Sequence, residues 1–180
     1  MLFRSLLTIR RPLFKIPGDM ADVEAGGTRQ LWGMKRAGVD ALAGEGAARL
    51  MADVDAALAA GDHVGALAAV ARVPGFGLAK GGFVLQLTRG VAGCIDTHNL
   101  ARFGFGEKTF AVDAKRVTDA TLRRHAARYL DAVENLGGCE SLWNSWCAYV
   151  ADRQPDRYHD ADHVSAYHLL ALGLAHEGSK

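Results

Sequence analysis

The sequence predicts an all-α fold built as a single domain, and three observations support this prediction. Ala, Leu and Val supply most of a hydrophobic fraction of 49%, whereas aromatic residues reach only 8% and there are four prolines, a balance that favours packed helices. A length of 180 residues is sufficient for one core. Apolar residues also recur at helical spacing, for example in the stripe Leu42, Leu50, Val54 and Leu58.

The predicted helices follow one another with short breaks and without an internal repeat. In order they span 19–35, 39–60, 63–72, 78–89, a short segment that opens at 96–97, a long segment from Thr118 or Asp119 to 137, then 140–152 and 160–176. Asp62 is the predicted N-cap of the third helix, and Gly90 ends the fourth. We interpret residues 1–18 as a basic N-terminal extension, either a targeting segment or a basic arm, and residues 19–180 as the helical domain.

Positive charge is concentrated in the middle of the chain, although the net charge is only +1. Residues 70–130 carry ten Lys or Arg against four Asp or Glu, a net charge of +6, which leaves −5 for the rest of the chain. A basic segment of this kind is where a phosphate backbone would bind.

The cysteines and the hydropathy restrict the possible classes of protein. Three cysteines without a CxxC pair predict neither a disulfide framework nor a four-cysteine zinc or iron-sulfur site, and they indicate a reducing compartment. The longest apolar stretches fall well short of the roughly 20 residues that cross a bilayer. We therefore expect a soluble protein without a membrane span.

The segment from Val73 to Gly77, with the sequence Val-Pro-Gly-Phe-Gly, predicts a tight turn between two helices. Gly75 and Gly77 permit positive φ values and a close approach of the backbone to a phosphate. The helix that begins at Leu78 presents its N–H groups and the positive end of its dipole to an anion. Phe76 would fill the space between the two helices. Such a turn binds the nucleic-acid backbone without reading its sequence, because phosphate contacts carry no base information.

A second block follows, Cys-Ile-Asp-Thr-His-Asn from Cys94 to Asn99, with Asp96 sixteen residues after Lys80. Together the turn and this block resemble the helix-hairpin-helix DNA glycosylases of the endonuclease III type. Members of that superfamily follow a Leu-Pro-Gly-Val-Gly hairpin with a Val-Asp-Thr-His segment that carries the catalytic aspartate. The resemblance covers residues 62–104. It implies that Asp96 is the catalytic carboxylate, which stabilises positive charge on the sugar of a flipped nucleotide or activates a nucleophile.

Two departures from the family restrict what the resemblance implies. Members that also cleave the strand have a lysine two residues after the second hairpin glycine; that position is Ala79 here, and Lys80 lies one residue later, roughly 100° around the helix. The cysteine-ligated iron-sulfur loop is missing, because the cysteines do not supply four ligands at its spacing. The resemblance therefore implies a monofunctional base-excision enzyme that needs the aspartate and no cofactor, rather than Schiff-base chemistry.

Two other functions stay open. The same blocks in a short chain also resemble glycosylase-related enzymes of bacteriophage DNA hypermodification, which transfer or build groups on modified thymine. The missing lysine is also compatible with a non-catalytic DNA-binding module that kept the hairpin. Under each hypothesis DNA is the partner, and we expect the protein in the cytoplasm of a bacterial or bacteriophage-infected cell.

The turn and the resemblance together indicate which residues contact DNA. They are Pro74, Gly75, Phe76, Gly77, Lys80, Gly81, His98, Asn99 and Arg102. Lys80 is interpreted as a phosphate contact or a solvated residue, and His98 and Asn99 as DNA contacts or ordinary surface residues. Asp96 with Thr97 also forms a good N-cap pair, and a cap alone, worth about 1 kcal/mol, would explain the aspartate.

Three further groups of side chains allow two interpretations each. Arg123, Arg124 and Arg128 form either a second phosphate contact or a solvated helix face. Aromatic residues at helical spacing are expected in the core rather than in a base-stacking platform: Trp143, Trp146 and Tyr149. A C-terminal group could suggest a metal site: His159, Asp160, Asp162, His163 and His168. The two histidines on its helix are five residues apart and off the i, i+4 register, so we expect a structural role and no metal.

Overall fold

The computed structural model describes residues 33–144, except for the side chain of His98. Every regular element in this part of the chain is an α-helix, which confirms the predicted all-α class for these residues. The helices are α1 (Gly33–Leu42), α2 (Gly46–Ala59), α3 (His63–Ala71), α4 (Gly77–Arg89), α5 (Thr97–Arg102), α6 (Asp119–Asn135) and α7 (138–144). The predicted N-terminal extension, most of the predicted helix over 19–35 and the helix over 160–176 lie outside the described residues. Within 33–144, no helix combines the length and the apolar character that a membrane crossing requires.

The single helix predicted over 39–60 is wrong, because a turn divides it. Residues 43–45 separate α1 from α2, and Gly44 adopts a positive φ of 55°. The amide of Gly46 donates to the carbonyl of Ala43 at 2.9 Å, which closes the turn. The apolar stripe therefore belongs to two helices: Leu42 and Val54 are buried, and Leu50 and Leu58 are half-buried against the core.

Local capping signals place the ends of the other helices. The amide of Gly65 donates to Asp62 Oδ1 at 2.8 Å, as predicted for the start of α3. The amide of Thr121 donates to Thr118 Oγ1 at 3.2 Å, so Thr118 rather than Asp119 caps α6. Gly90 ends α4 in the left-handed conformation, with φ 66°.

Helix α3 is the centre of the described domain and packs against α2, α4 and α6. Its nine residues are mostly small and apolar, so neighbouring helices approach it closely on several sides. The largest fully buried side chains come from these four helices, from α1 and α7, and from the segment before α5: Tyr129, Leu42, Leu67, Leu85, Ile95, Leu122, Leu142, Val54, Val70 and Val84. Trp143 is also buried, as predicted, whereas Trp146 and Tyr149 lie outside the described residues.

Two adjacent glycines let α4 approach its neighbours. A Cβ on Gly81 would lie 3.2 Å from Leu67 Cδ1 on α3. A Cβ on Gly82 would lie only 2.2 Å from the carbonyl oxygen of Gly93. Helix α4 is therefore in direct contact with α3 on one side and with the segment before α5 on the other, and both sides matter for the site.

Candidate functional site

The connection between α3 and α4 forms the tight turn that the sequence predicted. Gly75 and Gly77 adopt positive φ values of 89° and 64°, and the amide of Phe76 donates to the carbonyl of Val73 at 3.0 Å. Phe76 is buried at 7% exposure and anchors the turn in the core. Pro74 and both glycines are half-buried, so the backbone of the turn reaches the surface.

The first turn of α4 begins without a side-chain cap. Its N-cap residue is Phe76, which has no side-chain hydrogen bond to the helix; α2 also lacks a side-chain cap, whereas α3 and α6 are capped by Asp62 and Thr118. The first N–H groups of a helix have no partner within the helix itself. Together with the helix dipole, such N–H groups favour an anion. The end of α4 at the turn therefore has the electrostatic character that a phosphate requires.

Asp96 lies at the start of α5, directly after the buried Ile95. Its Oδ1 accepts from the amide of Asn99 at 3.0 Å, and its carbonyl accepts from the amide of Leu100 at 2.8 Å. The carboxylate therefore caps α5. Because the residue is half-buried, part of it lies at the protein surface.

Lys80 connects the two sequence blocks. It lies one turn into α4, is half-buried, and its Nζ is 5.3 Å from the centroid of the Phe83 ring. Burial lowers the pKa of Lys80, and the negative charge of Asp96 acts against that shift. Burial also raises the pKa of the Cys94 thiol far above its usual range, so this neighbour is neutral. The negative charge of Asp96 is therefore part of the electrostatic environment of Lys80.

Three buried polar side chains hold the segment that leads to Asp96. The hydroxyl of Tyr129 accepts from the amide of Ile95 at 2.7 Å and donates to the carbonyl of Gly93 at 2.6 Å. Gln86 Oε1 accepts from the amide of Cys94 at 2.9 Å. Asn99 Nδ2 donates to the carbonyl of Cys94 at 2.6 Å. Residues 93–95 thus form their backbone hydrogen bonds with side chains of α4, α5 and α6.

The structure assigns interior positions to three of the predicted DNA contacts. Asn99 is only 2% exposed, and its side-chain amide donates to the carbonyl of Cys94. The Asn99 side chain is therefore too buried to contact DNA. Phe76 is buried in the core, and Gly81 is buried in the contact between α3 and α4. These three residues support the site from inside the protein.

The other predicted contacts that the structure describes are partly or fully exposed, so a ligand can reach them. Pro74, Gly75, Gly77 and Lys80 are half-buried, and Arg102 is exposed near the end of α5. The side chain of His98 lies outside the described residues. The turn, Lys80 and Asp96 therefore make up the candidate site, and Arg102 lies at the exposed far end of the helix that Asp96 caps.

The basic segment over 70–130 is less positive in the structure than its composition indicates. Four ion pairs among the described residues involve its arginines, and two of the acidic partners come from outside the segment. The pairs are Arg72–Asp119 at 3.7 Å, Arg89–Asp55 at 2.6 Å, Arg116–Asp113 at 3.2 Å and Arg123–Asp62 at 2.9 Å. Arg123 therefore differs from Arg124 and Arg128, which are exposed on α6 as predicted.

Sequence reasoning missed Gln86 and Tyr129 as parts of the site. The available signal was a glutamine between the apolar residues Leu85 and Leu87, where an uncharged polar side chain needs an internal partner. No comparable signal marks Tyr129, since a tyrosine on an amphipathic helix is compatible with many positions. Among residues 33–144, no three His, Cys, Asp or Glu side chains come together as a metal site, and the histidine group near the C-terminus lies outside this range.

Comparisons with known proteins assign no family to the chain. No protein-family model matches it, and neither a curated protein nor a solved structure matches it. The glycosylase resemblance of the two sequence blocks therefore stays a hypothesis, which depends on the residues of the turn and of the Asp-Thr-His segment.

Proposed function

We propose that the chain binds the DNA backbone through the turn over 73–77 and acts on a flipped base, with Asp96 as the reacting carboxylate. The observation that supports this most strongly is the packing of α4 on the segment before Asp96, where Gln86 Oε1 accepts from the amide of Cys94 at 2.9 Å and a Cβ on Gly82 would lie 2.2 Å from the carbonyl oxygen of Gly93. Two blocks that the sequence separates by sixteen residues thus lie at one place. A phosphate-binding helix end next to a carboxylate is what a base-flipping enzyme needs.

The binding step uses the turn and the beginning of α4. The backbone of the turn reaches the surface at the half-buried Gly75 and Gly77, and the uncapped first turn of α4 offers N–H donors to a phosphate oxygen. Lys80 lies three residues after Gly77, about 4.5 Å further along the helix axis. Its ammonium group adds a charge-assisted contact to the same strand. This contact positions DNA without selecting a base sequence.

The chemical step uses Asp96. A base that leaves the stack costs a few kcal/mol, which phosphate contacts and a pocket must offset. A carboxylate near the sugar of the flipped nucleotide stabilises the positive charge that develops as the glycosidic bond weakens. Ala79 occupies the position where strand-cleaving family members carry a lysine, and Lys80 lies one residue later, with its Nζ 5.3 Å from the centroid of the Phe83 ring. We therefore propose base excision or base modification without a covalent lysine intermediate.

A non-catalytic DNA-binding module is the second candidate. The hydrogen bond from the Asn99 amide to Asp96 Oδ1 supports it, because this cap alone accounts for an aspartate at the start of α5. Under this hypothesis the turn and Lys80 have the same role, and Asp96 is structural.

One assay separates these functions. The purified full chain is incubated with duplexes that carry damaged, mispaired or hypermodified bases, including 5-substituted uracils, and the nucleosides and free bases are analysed by mass spectrometry. A released free base supports the glycosylase, and a base of altered mass that stays in the strand supports a hypermodification enzyme. Tight binding without any change in the DNA supports the module. A chain that neither binds nor alters any duplex at low ionic strength contradicts the proposal.

A further inference from the structure

We propose that Gln86, Asn99 and Tyr129 form a positioning clamp that holds Asp96 in a defined place relative to the turn. This inference rests on the proposed function and adds to it the residues that orient the reacting carboxylate. They act on Asp96 through the backbone of residues 93–95 and do not contact DNA in the proposed complex.

The clamp replaces secondary structure in the segment before α5. Residues 91–96 contain no helix or strand, so their backbone groups lack the partners that a regular element supplies. Four of these groups, on Gly93, Cys94 and Ile95, bind the three clamp side chains instead. A buried backbone group without a partner costs free energy, so this arrangement is stable only with the side chains in place.

Two of the three side chains, Tyr129 and Gln86, are themselves held on several sides. Tyr129 has no exposed surface, and its ring packs edge to face on Phe110 with 5.2 Å between the centroids. Gln86 is 4% exposed, and its Nε2 donates to the carbonyl of Cys139 at 2.9 Å while its Oε1 binds Cys94. Because these amide and hydroxyl groups have internal partners, the positions of the groups are well defined.

Helix α4 connects the clamp to the turn. The helix begins at Gly77, next to the proposed phosphate site, and carries Gln86 nine residues later, about 14 Å along the helix axis. Gly82 lies between them, and a Cβ there would be 2.2 Å from the carbonyl oxygen of Gly93 and 2.8 Å from the Tyr129 hydroxyl. The distance between α4 and the segment is therefore set by direct contact. One rigid element thus carries both the phosphate anchor and a residue that holds the segment before Asp96.

The clamp holds the residues on both sides of Asp96 and so fixes the position of its carboxylate in the proposed reaction. Ile95 is the last residue before Asp96, and Asn99 is the residue whose amide binds the Asp96 carboxylate. A shift of the backbone at 93–95 therefore moves the carboxylate relative to a nucleotide held at the turn. Displacements of about 1 Å in a catalytic group reduce rates by up to roughly 100-fold.

Tyr129→Phe and Gln86→Leu test the clamp, because both keep the bulk of the side chain and remove its polar group. Two properties are measured in the full-length protein: the affinity for a fluorescent duplex, and the turnover rate at saturating DNA on the base that the wild-type protein processes. We expect turnover to fall about tenfold or more, with affinity within about twofold, since the turn is unchanged. Turnover within about twofold of wild type in both folded variants would overturn the inference.

A matched control distinguishes positioning from stability alone. Val54→Ala removes buried methyl groups from α2, which contributes nothing to the clamp, and lowers the melting temperature of the protein. We expect this variant, assayed well below its melting temperature, to keep the wild-type turnover rate, because it loses stability without a change in the clamp. A turnover loss in Val54→Ala as large as in the clamp variants would overturn the inference.

A readout without catalysis separates this inference from the proposed function. Backbone ¹⁵N relaxation of Ile95, Asp96 and Thr97 reports whether the segment is ordered. In the wild-type protein we expect order parameters of about 0.85. We expect lower order parameters and shifted amide signals at these residues in Tyr129→Phe and Gln86→Leu. If the signals in both variants equal those of the wild-type protein, the clamp is wrong, whatever the turnover rates are. If the signals change but the wild-type protein turns over no base, the clamp is retained and the proposed reaction is rejected.

Discussion

Arg123 Nη2 lies 2.9 Å from both carboxylate oxygens of Asp62, and this pair joins the start of α3 to α6 across 61 residues of sequence. Asp62 at the same time caps α3 through the amide of Gly65. One aspartate therefore fixes the beginning of the central helix and its contact with the long helix. The pair also gives Arg123 a structural role, while Arg124 and Arg128 stay exposed on α6.

We predict that Asp62 contributes to the pH dependence of stability. The hydrogen bond from Gly65, followed by that from Arg123, lowers the pKa of Asp62 below its ordinary value of 3.8. A lowered pKa in the folded state means that the contribution is present above about pH 4 and is lost as the pH falls through the folded pKa. Urea unfolding of Asp62→Asn between about pH 7 and pH 3 should show a weaker decline than the wild-type protein. Asp131→Asn, an exposed aspartate on α6, is the control, and equal declines in all three proteins would contradict the prediction.

We predict that Asp96→Asn separates binding from chemistry. Asn is as good an N-cap as Asp, so the variant keeps the start of α5 while it removes the carboxylate charge. Turnover of the base that the wild-type protein processes should fall by at least about 100-fold, and the affinity for DNA should stay within about twofold or increase slightly. Mass spectrometry of the bases and fluorescence anisotropy measure the two effects, with Asp131→Asn as the control for loss of one carboxylate. Full turnover in Asp96→Asn would assign the aspartate to capping alone.

We predict that Lys80 contributes one phosphate contact. Binding that depends on phosphates weakens with salt, and loss of one such contact reduces the slope of log Kobs against log salt by about one. Lys80→Ala should therefore bind more weakly and with a shallower slope. Arg49→Ala removes the same charge from an exposed site on α2, outside the basic segment, and should leave the slope unchanged. A wild-type affinity that does not respond to salt would contradict phosphate anchoring.

We predict that a negative charge in the turn prevents binding. Gly77 has φ 64°, which Asn and Asp tolerate better than other residues, and a Cβ there meets no atom within 4 Å. Gly77→Asp and Gly77→Asn should therefore fold alike, which circular dichroism and thermal unfolding can verify. The aspartate should weaken DNA binding about tenfold more than the asparagine because it repels the phosphate. Equal affinities for the two variants would show that DNA does not bind at the turn.

We predict that Gly82→Ala destabilises the protein by about 1–3 kcal/mol, because a methyl group there overlaps the backbone of Gly93 and the hydroxyl of Tyr129. Gly106→Ala is the control, since a Cβ at that exposed position meets only Thr109 Oγ1 at 3.6 Å. Chemical unfolding measures the difference between the two variants. A free energy of unfolding for Gly82→Ala equal to that of Gly106→Ala would show that α4 and the segment before α5 can separate without cost.

The sequence predicted those features that depend on neighbouring residues. Asp62, Thr118 and Gly90 mark helix ends through hydrogen bonds and φ values within a few residues, and the glycines of the turn follow the same local rules. The break at Gly44 was missed because the apolar spacing continues across it. The Asp96-Thr97 pattern also indicated a cap at the start of α5, and the structure contains it.

The sequence by itself therefore determined the all-helical class of the described part, most of its helix ends and the turn with its two glycines. Only the tertiary structure decided that Asn99 is internal, that Arg123 binds Asp62, and that α4 contacts the segment before Asp96 at Gly82. The same holds for the hydrogen bonds from Gln86 and Tyr129 to the segment before Asp96. The physical reason is that helix caps and turns form between neighbours in the chain, whereas these contacts join different elements and depend on how closely α4 packs against its surroundings.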